Sequence, residues 1–205
     1  MILKQFVLGA IEDNNYLLID EKTKEAVLID CTEESQQIDN AIKEYGATLK
    51  YILLTHGHFD HVLGVNSFRA KYHCKALIHE DDKFLLDKMK DFARSFGIPS
   101  VEIQNVDGFI KDGEVIEFGT NKIKVIHTPG HTKGGVCFLL EDKIFTGDTL
   151  FCDAIGRTDL PGGSFQQLKS SIEQRLFTLD ENITVYPGHG NSTTIGHEKK
   201  YNHEL

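Results

Sequence analysis

The chain has 205 residues, 40% of them apolar and 26% charged, the balance of an ordinary globular protein with enough length for one domain and a sizeable core. Its 22 basic and 31 acidic side chains leave a net charge of −9, and an acidic chain lacks the basic footprint that nucleic-acid binding requires. The first ten residues are apolar but broken by Lys4 and Gln5, so they read as neither a secretory leader nor a membrane span, and the expectation is a cytoplasmic protein that binds neither membrane nor nucleic acid.

Short β patterns open the chain at residues 2–8, 16–19 and 26–29, separated by Glu12-Asp13-Asn14-Asn15 and by polar residues 20–24, as in a meander of hairpins. A helix follows across 33–45, with Thr32 as its N-cap and Gly46 as its stop. Residues 51–54 form an apolar run of strand length that ends abruptly in Thr55-His56-Gly57-His58. A second helix is expected over 62–72, a strand over 76–78 and a polar helix over 81–94. The second half repeats the style, with strands at 115–118, 123–126, 136–140 and 143–145, a helix over 165–177 and a last strand at 184–186. Cys31, Cys74, Cys137 and Cys152 are widely separated, form no Cys-x-x-Cys pair and read as free thiols. Strands followed by a helical segment, twice over, imply α/β or α+β architecture in one domain spanning residues 1–205.

The chemistry concentrates at strand ends. Thr55-His56-Gly57-His58-Phe59-Asp60-His61 holds three histidines and an aspartate within six positions, and imidazole and carboxylate are the donors of a borderline divalent cation. In a loop, His56 and His58 can converge on one ion while Asp60 and His61 turn towards another. A histidine-rich surface loop accounts poorly for so many histidines directly after a buried strand. His131 in His127-Thr128-Pro129-Gly130-His131-Thr132, Asp148 in Phe145-Thr146-Gly147-Asp148-Thr149 and His189 in Tyr186-Pro187-Gly188-His189-Gly190 each follow an apolar strand beside glycine. Any one of these is weak evidence; together they describe a metal site.

His-x-His-x-Asp-His followed by His131, Asp148 and His189 resembles the full motif set of the metallo-β-lactamase superfamily. Within it the chain is most similar to glyoxalase II, hydroxyacylglutathione hydrolase, and to its short single-domain relatives. The stretches 127–132, 145–151 and Gly156-Arg157-Thr158-Asp159-Leu160-Pro161 carry that closer match. The resemblance implies a four-layer αββα sandwich. It also implies two divalent metal ions, zinc by preference with iron or manganese as other occupants. His56, His58 and His131 would hold one ion, and Asp60, His61 and His189 the other. Asp148 would bridge them, with Asp60 and Asp148 as the catalytic carboxylates. His127 would support the His131 turn, while His73, His79, His197 and His203 match no ligand position.

The implied reaction is hydrolysis of an acyl bond by a metal-bound hydroxide, since coordination lowers the pKa of water from 15.7 towards roughly 7. A thiolate leaves without a protonating acid, which suits a small-molecule thioester such as an S-(2-hydroxyacyl)glutathione. Two departures bear on glutathione itself. Two-domain glyoxalase II enzymes carry a C-terminal helical domain, whereas this chain ends at Leu205, and their Lys and Tyr after the bridging Asp are replaced by Ala154-Ile155-Gly156-Arg157-Thr158-Asp159. Arg157 could clamp a substrate carboxylate in their stead, or pair with Asp159 or another acid. The rival within the same fold is a mononuclear-iron persulfide dioxygenase, which shares the Gly-Arg-Thr-Asp loop. Secreted β-lactam hydrolysis, flavo-diiron oxygen reduction and nuclease activity fit less well, and a metal-stabilised scaffold without catalysis should have lost at least one of the seven donors. No sequence feature sets the oligomeric state.

Overall fold

Alternation along the strands deals their side chains to opposite faces, and on the third, ninth and tenth strands both faces are apolar and almost wholly buried, whereas the seventh and eighth alternate buried with exposed. The computed structural model describes residues 1–95, 97, 102 and 104–205. One six-stranded sheet runs in chain order through β1 (Ile2–Leu8), β2 (Asp13–Ile19), β3 (Glu25–Ile29), β4 (Thr48–Leu53), β5 (Lys75–His79) and β6 (Gly108–Ile110). Its first three strands are antiparallel, and the pairings from β3 onward are parallel. The second half supplies β7 (Val115–Phe118), β8 (Asn121–His127), β9 (Val136–Leu140), β10 (Lys143–Gly147), a small hairpin of β11 (Leu150–Phe151) and β12 (Ala154–Ile155), then β13 (Thr184–Pro187) and β14 (Thr193–Thr194). The hairpin apart, these form a six-stranded sheet in the order β14-β13-β10-β9-β8-β7. The helices are α1 (Gln36–Glu44), α2 (Val65–Tyr72), α3 (Lys83–Asp87), α4 (Met89–Ser95), α5 (Phe165–Ser171) and α6 (Ile195–Tyr201).

Three apolar cores lie between four layers. On β2, Leu17 and Ile19 face Ile38 and Ile42 of α1 and Phe68 of α2, while Tyr16 and Leu18 face the opposite sheet. On β3, Ala26 and Leu28 point outward and Val27 and Ile29 inward. The partner sheet does the same: Val136, Phe138 and Leu140 of β9 fill the central core, and Cys137 joins Leu168 of α5 and Ile172 behind it. This is the helix–sheet–sheet–helix sandwich expected. Each fully buried Leu or Ile contributes about 1.5–3 kcal/mol, so strands buried on both faces carry much of the stability. No helix among the described residues is long and apolar enough to cross a membrane.

Several boundaries differ from the pattern-based expectation, each for a visible reason. β2 starts at Asp13 rather than 16, because the polar residues Asp13, Asn14 and Asn15 are buried and paired with β1. The first helix is capped by Ser35, whose side chain accepts from the Ile38 amide, and not by Thr32. Thr32 is instead tied to Asn15, its amide donating to Asn15 Oδ1 and its hydroxyl accepting from Asn15 Nδ2. The segment 62–72 is helical only from Val65, after a 3-10 turn over Phe59–His61. The polar helix 81–94 is broken into a 3-10 turn (Glu80–Asp82), α3 and α4; the first break falls at Asp82, which is drawn inward with no exposed surface. The helix over 165–177 is α-helical to Ser171 and then continues as a π turn, Ile172–Leu176. β6, β11, β12, β14 and α6 are not foreshadowed by any sequence periodicity.

Candidate metal centre

The C-terminal ends of β4, β8, β10 and β13 all reach one edge of the sandwich, and the start of β2 lies there too, where Asp13 bridges to His189. β4 runs into the loop carrying His56 and His58, and the 3-10 turn that follows presents Asp60 and His61. His131 comes from the turn after β8, Asp148 follows β10 directly, and His189 follows β13. Backbones approach closely at this edge. A Cβ on Gly188 would stand 2.3 Å from Asp148 Oδ1, so a glycine is obligatory there.

Hydrogen bonds on the far side of each ring decide which nitrogen faces inward. The Thr55 hydroxyl donates to Asp30 Oδ2 at 2.8 Å, so its oxygen accepts from His56 Nδ1 at 3.1 Å and leaves His56 Nε2 bare. His131 Nδ1 donates to the Arg157 carbonyl at 2.7 Å, His61 Nδ1 to Asp30 Oδ2 at 2.9 Å, and His189 Nδ1 to the Ile11 carbonyl at 3.2 Å. Their Nε2 atoms converge. His58 turns Nδ1 inward, 2.9 Å from His131 Nε2.

Two groups of donors result. His56, His58 and His131 bring ligand atoms within 4.8 Å of one another, as do Asp60, His61, His189 and, beyond the set read from the sequence, Asp13. Asp148 stands between them. Its Oδ1 is 3.4 Å from His61 Nε2 and 3.6 Å from His189 Nε2, and its Oδ2 is 3.5 Å from His131 Nε2. Among the described residues, the buried side-chain nitrogens and oxygens without a hydrogen-bond partner are Asp13 Oδ1 and Oδ2, His56 Nε2, His61 Nε2 and Asp148 Oδ1. All five belong to this cluster. Leaving one such atom unmatched costs about 1–3 kcal/mol, so five aimed at one place fit divalent cations and little else.

Electrostatics agree. Burial pushes the His56 imidazole well below its ordinary range. Burial, then the charge of His131, lowers His58 to about 3. These rings are held as neutral donors. Burial works against ionisation of Asp148, but His61 and then His131 overcome it and keep that carboxyl well below the usual range. Burial would also lower His61, yet Asp148, Asp30 and Asp60 raise it strongly; a proton there is what a cation displaces. Asp13 is pushed up to about 8, by burial first and by the charges of Asp60 and Asp148 against the pull of His61.

A cavity of about 160 Å³ opens over the cluster, walled by Ile11, Phe59, Phe92 and Leu160 with Arg157 at its rim. The Arg157 guanidinium forks onto Asp159, Nε to Oδ1 at 2.8 Å and Nη2 to Oδ2 at 2.7 Å. Of the partners read from the sequence, the acid two residues on holds it here. His127 turns away from the centre, stacked on His79 at 4.2 Å with Nε2 bonded to the Lys133 carbonyl. His73 ends α2 in a left-handed conformation, and His197 is bonded to Asp153.

Sequence reasoning missed three carboxylates. Asp13 was hidden in a polar stretch that reads as a turn. Asp30 ends β3 as Asp148 ends β10, the signal that could have found it, and it orients both His61 and Thr55. Asp82 Oδ2 accepts from the Gly57 amide at 3.0 Å and the Thr132 hydroxyl at 2.7 Å, and its Oδ1 from the Gly134 amide at 2.6 Å. That one side chain ties the His56–His58 loop to the His131 loop.

The sequence profile described as the metallo-beta-lactamase superfamily matches residues 11–189. Hydroxyacylglutathione hydrolase GloC of Haemophilus influenzae is 38% identical, over 94% of this chain and 92% of that protein. Among solved structures, the BLEG-1 B3 metallo-beta-lactamase superposes with a TM-score of 0.90 at 34% identity, covering 98% of both chains. TTHA1623, solved in a di-iron-bound form, gives 0.88 at 33% identity over 98% of this chain and all of its own. With the sandwich, the two donor groups and the profile in agreement, this chain belongs to the metallo-β-lactamase superfamily of metal-dependent hydrolases.

Proposed function

We propose that this protein hydrolyses a small-molecule thioester at a two-cation centre, with an S-(2-hydroxyacyl)glutathione as the preferred substrate class and zinc as the preferred metal. The observation that carries the reading is Asp148, whose two carboxylate oxygens face two separate donor groups, Oδ1 towards His61 and His189 and Oδ2 towards His131. His56, His58 and His131 would hold one cation, Asp60, His61 and His189 the other, and Asp148 both. Bound there, a pair of divalent cations supplies Lewis acidity for the attacked carbonyl and lowers the pKa of water from 15.7 to roughly 7.

The protein's own residues do the rest. Asp60 lines the cavity floor, where its carboxylate orients the attacking water. Ile11, Phe59, Phe92 and Leu160 give the cavity apolar walls, which desolvate the thioester and take the carbon chain of the thiol. No acid is needed for a thiolate leaving group, and no protonating side chain is assigned. Arg157 binds the substrate carboxylate at the rim by exchanging its fork with Asp159. The relative named hydroxyacylglutathione hydrolase supports the acyl-glutathione class, since 94% of this chain aligns with it.

Metal analysis paired with a substrate screen tests this reading. The expected result is two metal ions per chain, turnover of S-lactoylglutathione that is lost on chelation, and little cleavage of a chromogenic cephalosporin. Oxygen uptake on glutathione persulfide with one iron per chain and no thioester cleavage would overturn it in favour of a dioxygenase of the same fold.

A further inference from the structure

Asp13 has the geometry of a ligand and of nothing else in its surroundings. Its side chain is fully buried at the head of β2, and neither carboxylate oxygen has a hydrogen-bond partner. Oδ1 lies 3.5 Å from His61 Nε2 and 3.5 Å from His189 Nε2, too far for good hydrogen bonds. Those are the two nitrogens left bare once Nδ1 of each ring is committed to Asp30 and to Ile11. Donor atoms sharing one cation at bonds of about 2.0–2.2 Å stand roughly 2.9–3.5 Å apart, from octahedral to tetrahedral arrangements. The spacing is that of co-ligands.

The backbone holds this arrangement in place. Asn14, the next residue, donates from its amide to the Gly188 carbonyl at 2.7 Å and from Nδ2 to the carbonyls of Pro187 and Gly190. Asn15 Nδ2 donates to the Asp13 carbonyl at 3.1 Å. The strand that carries Asp13 is thus stapled to the loop that carries His189, on both sides of that histidine. A purely structural carboxylate buried here would lack any compensating donor, at a cost of several kcal/mol.

We propose that Asp13 is a further protein ligand of the cation held by Asp60, His61 and His189, and that it makes this site the harder of the two. The proposal rests on the two-cation reading above. With Asp13 included, three carboxylates and two imidazoles surround this cation, against three imidazoles and one carboxylate around the other. Carboxylate oxygen suits manganese, whereas imidazole suits zinc and iron, so the two positions are built to differ in how far zinc outcompetes manganese.

The test is metal binding to the full chain after chelator stripping, with Zn²⁺ and Mn²⁺ titrated separately and in competition. Wild-type protein is expected to bind two equivalents, with manganese competing better against zinc at one of them than at the other. Asp13→Asn is expected to weaken one equivalent by roughly 10- to 100-fold and to erase that difference between the positions, leaving the other equivalent unchanged. The metal-free variant should melt at or above wild type, because an unmatched buried carboxylate has been removed. Unchanged affinity for both equivalents in Asp13→Asn would overturn the assignment of Asp13 alone. A single equivalent in wild type would overturn the two-cation reading with it. Should the variant fold poorly, anomalous scattering from manganese-loaded wild type decides. An Asp13 oxygen within bonding distance of the cation, as at His61 and His189, is expected; one beyond about 3 Å overturns the proposal.

Discussion

Asp30 shows how much of a metal site lies one residue away from the metal. It is 1% exposed and accepts from the Thr55 amide, the Thr55 hydroxyl and His61 Nδ1, so it fixes the tautomer of His61 directly and that of His56 through Thr55. Asp30→Ala is expected to lower metal affinity by roughly 10- to 100-fold, measured by competition with a chromogenic chelator, while Asp30→Asn should lose less because an acceptor remains. His79 offers a prediction of a different kind. Burial, then the neighbouring His127, lowers its pKa below 6.5, so as pH falls the unfolded chain takes the proton before the folded one does. The contribution of His79 to stability is therefore level above about pH 6.5 and falls below it. In metal-loaded protein, the fall in melting temperature between about pH 7.5 and 5.5 should be smaller in His79→Asn than in wild type. Histidines and Asp148 at strand ends were legible as a metal set because each breaks an apolar run with a donor beside glycine. Asp13 was not, because a buried Asp-Asn-Asn looks like a turn until its neighbours across the sheet are known.

At the scale of elements, local pattern was readable where a strand is long and apolar and unreadable where tertiary contacts decide. β3, β9 and β10 are visible as apolar runs. β11, β12 and β14 have two residues each, too few for any periodicity. The segment 81–94 has helical composition throughout, yet Asp82 interrupts it by reaching across to Gly57, Thr132 and Gly134. Asp82→Ala would strand two buried amides and a hydroxyl at about 1–3 kcal/mol each, less whatever water recovers. We expect a loss of about 3 kcal/mol or more in urea unfolding, together with weaker binding at the cation site of His56, His58 and His131, whose ligands come from the two loops Asp82 joins. Thr132→Ser keeps the hydroxyl and should be nearly neutral by both measures.

For the whole molecule, the doubled β-then-helix rhythm announced the layers, and the doubly buried β2 and β3 explain why the sandwich needs helices on both outer faces. What pattern could not show is how the two sheets share the ligands. The first sheet sends His56, His58, Asp60 and His61 to the edge, and the second sends His131, Asp148 and His189. Neither donor group is complete without both sheets. A ligand present at 1,000 times its Kd stabilises the folded state by about 4 kcal/mol, so chelation should lower the melting temperature by several degrees, read by calorimetry with and without added Zn²⁺.

That division of donors turns the cations into rivets across a seam. Each would fasten one leaf of the sandwich to the other at the rim where the central apolar core ends, leaving the opposite rim to close by packing alone. Amide exchange should then slow on metal loading in the turns after β4, β8 and β13 and stay unaltered in the far turns, such as the one joining β7 to β8.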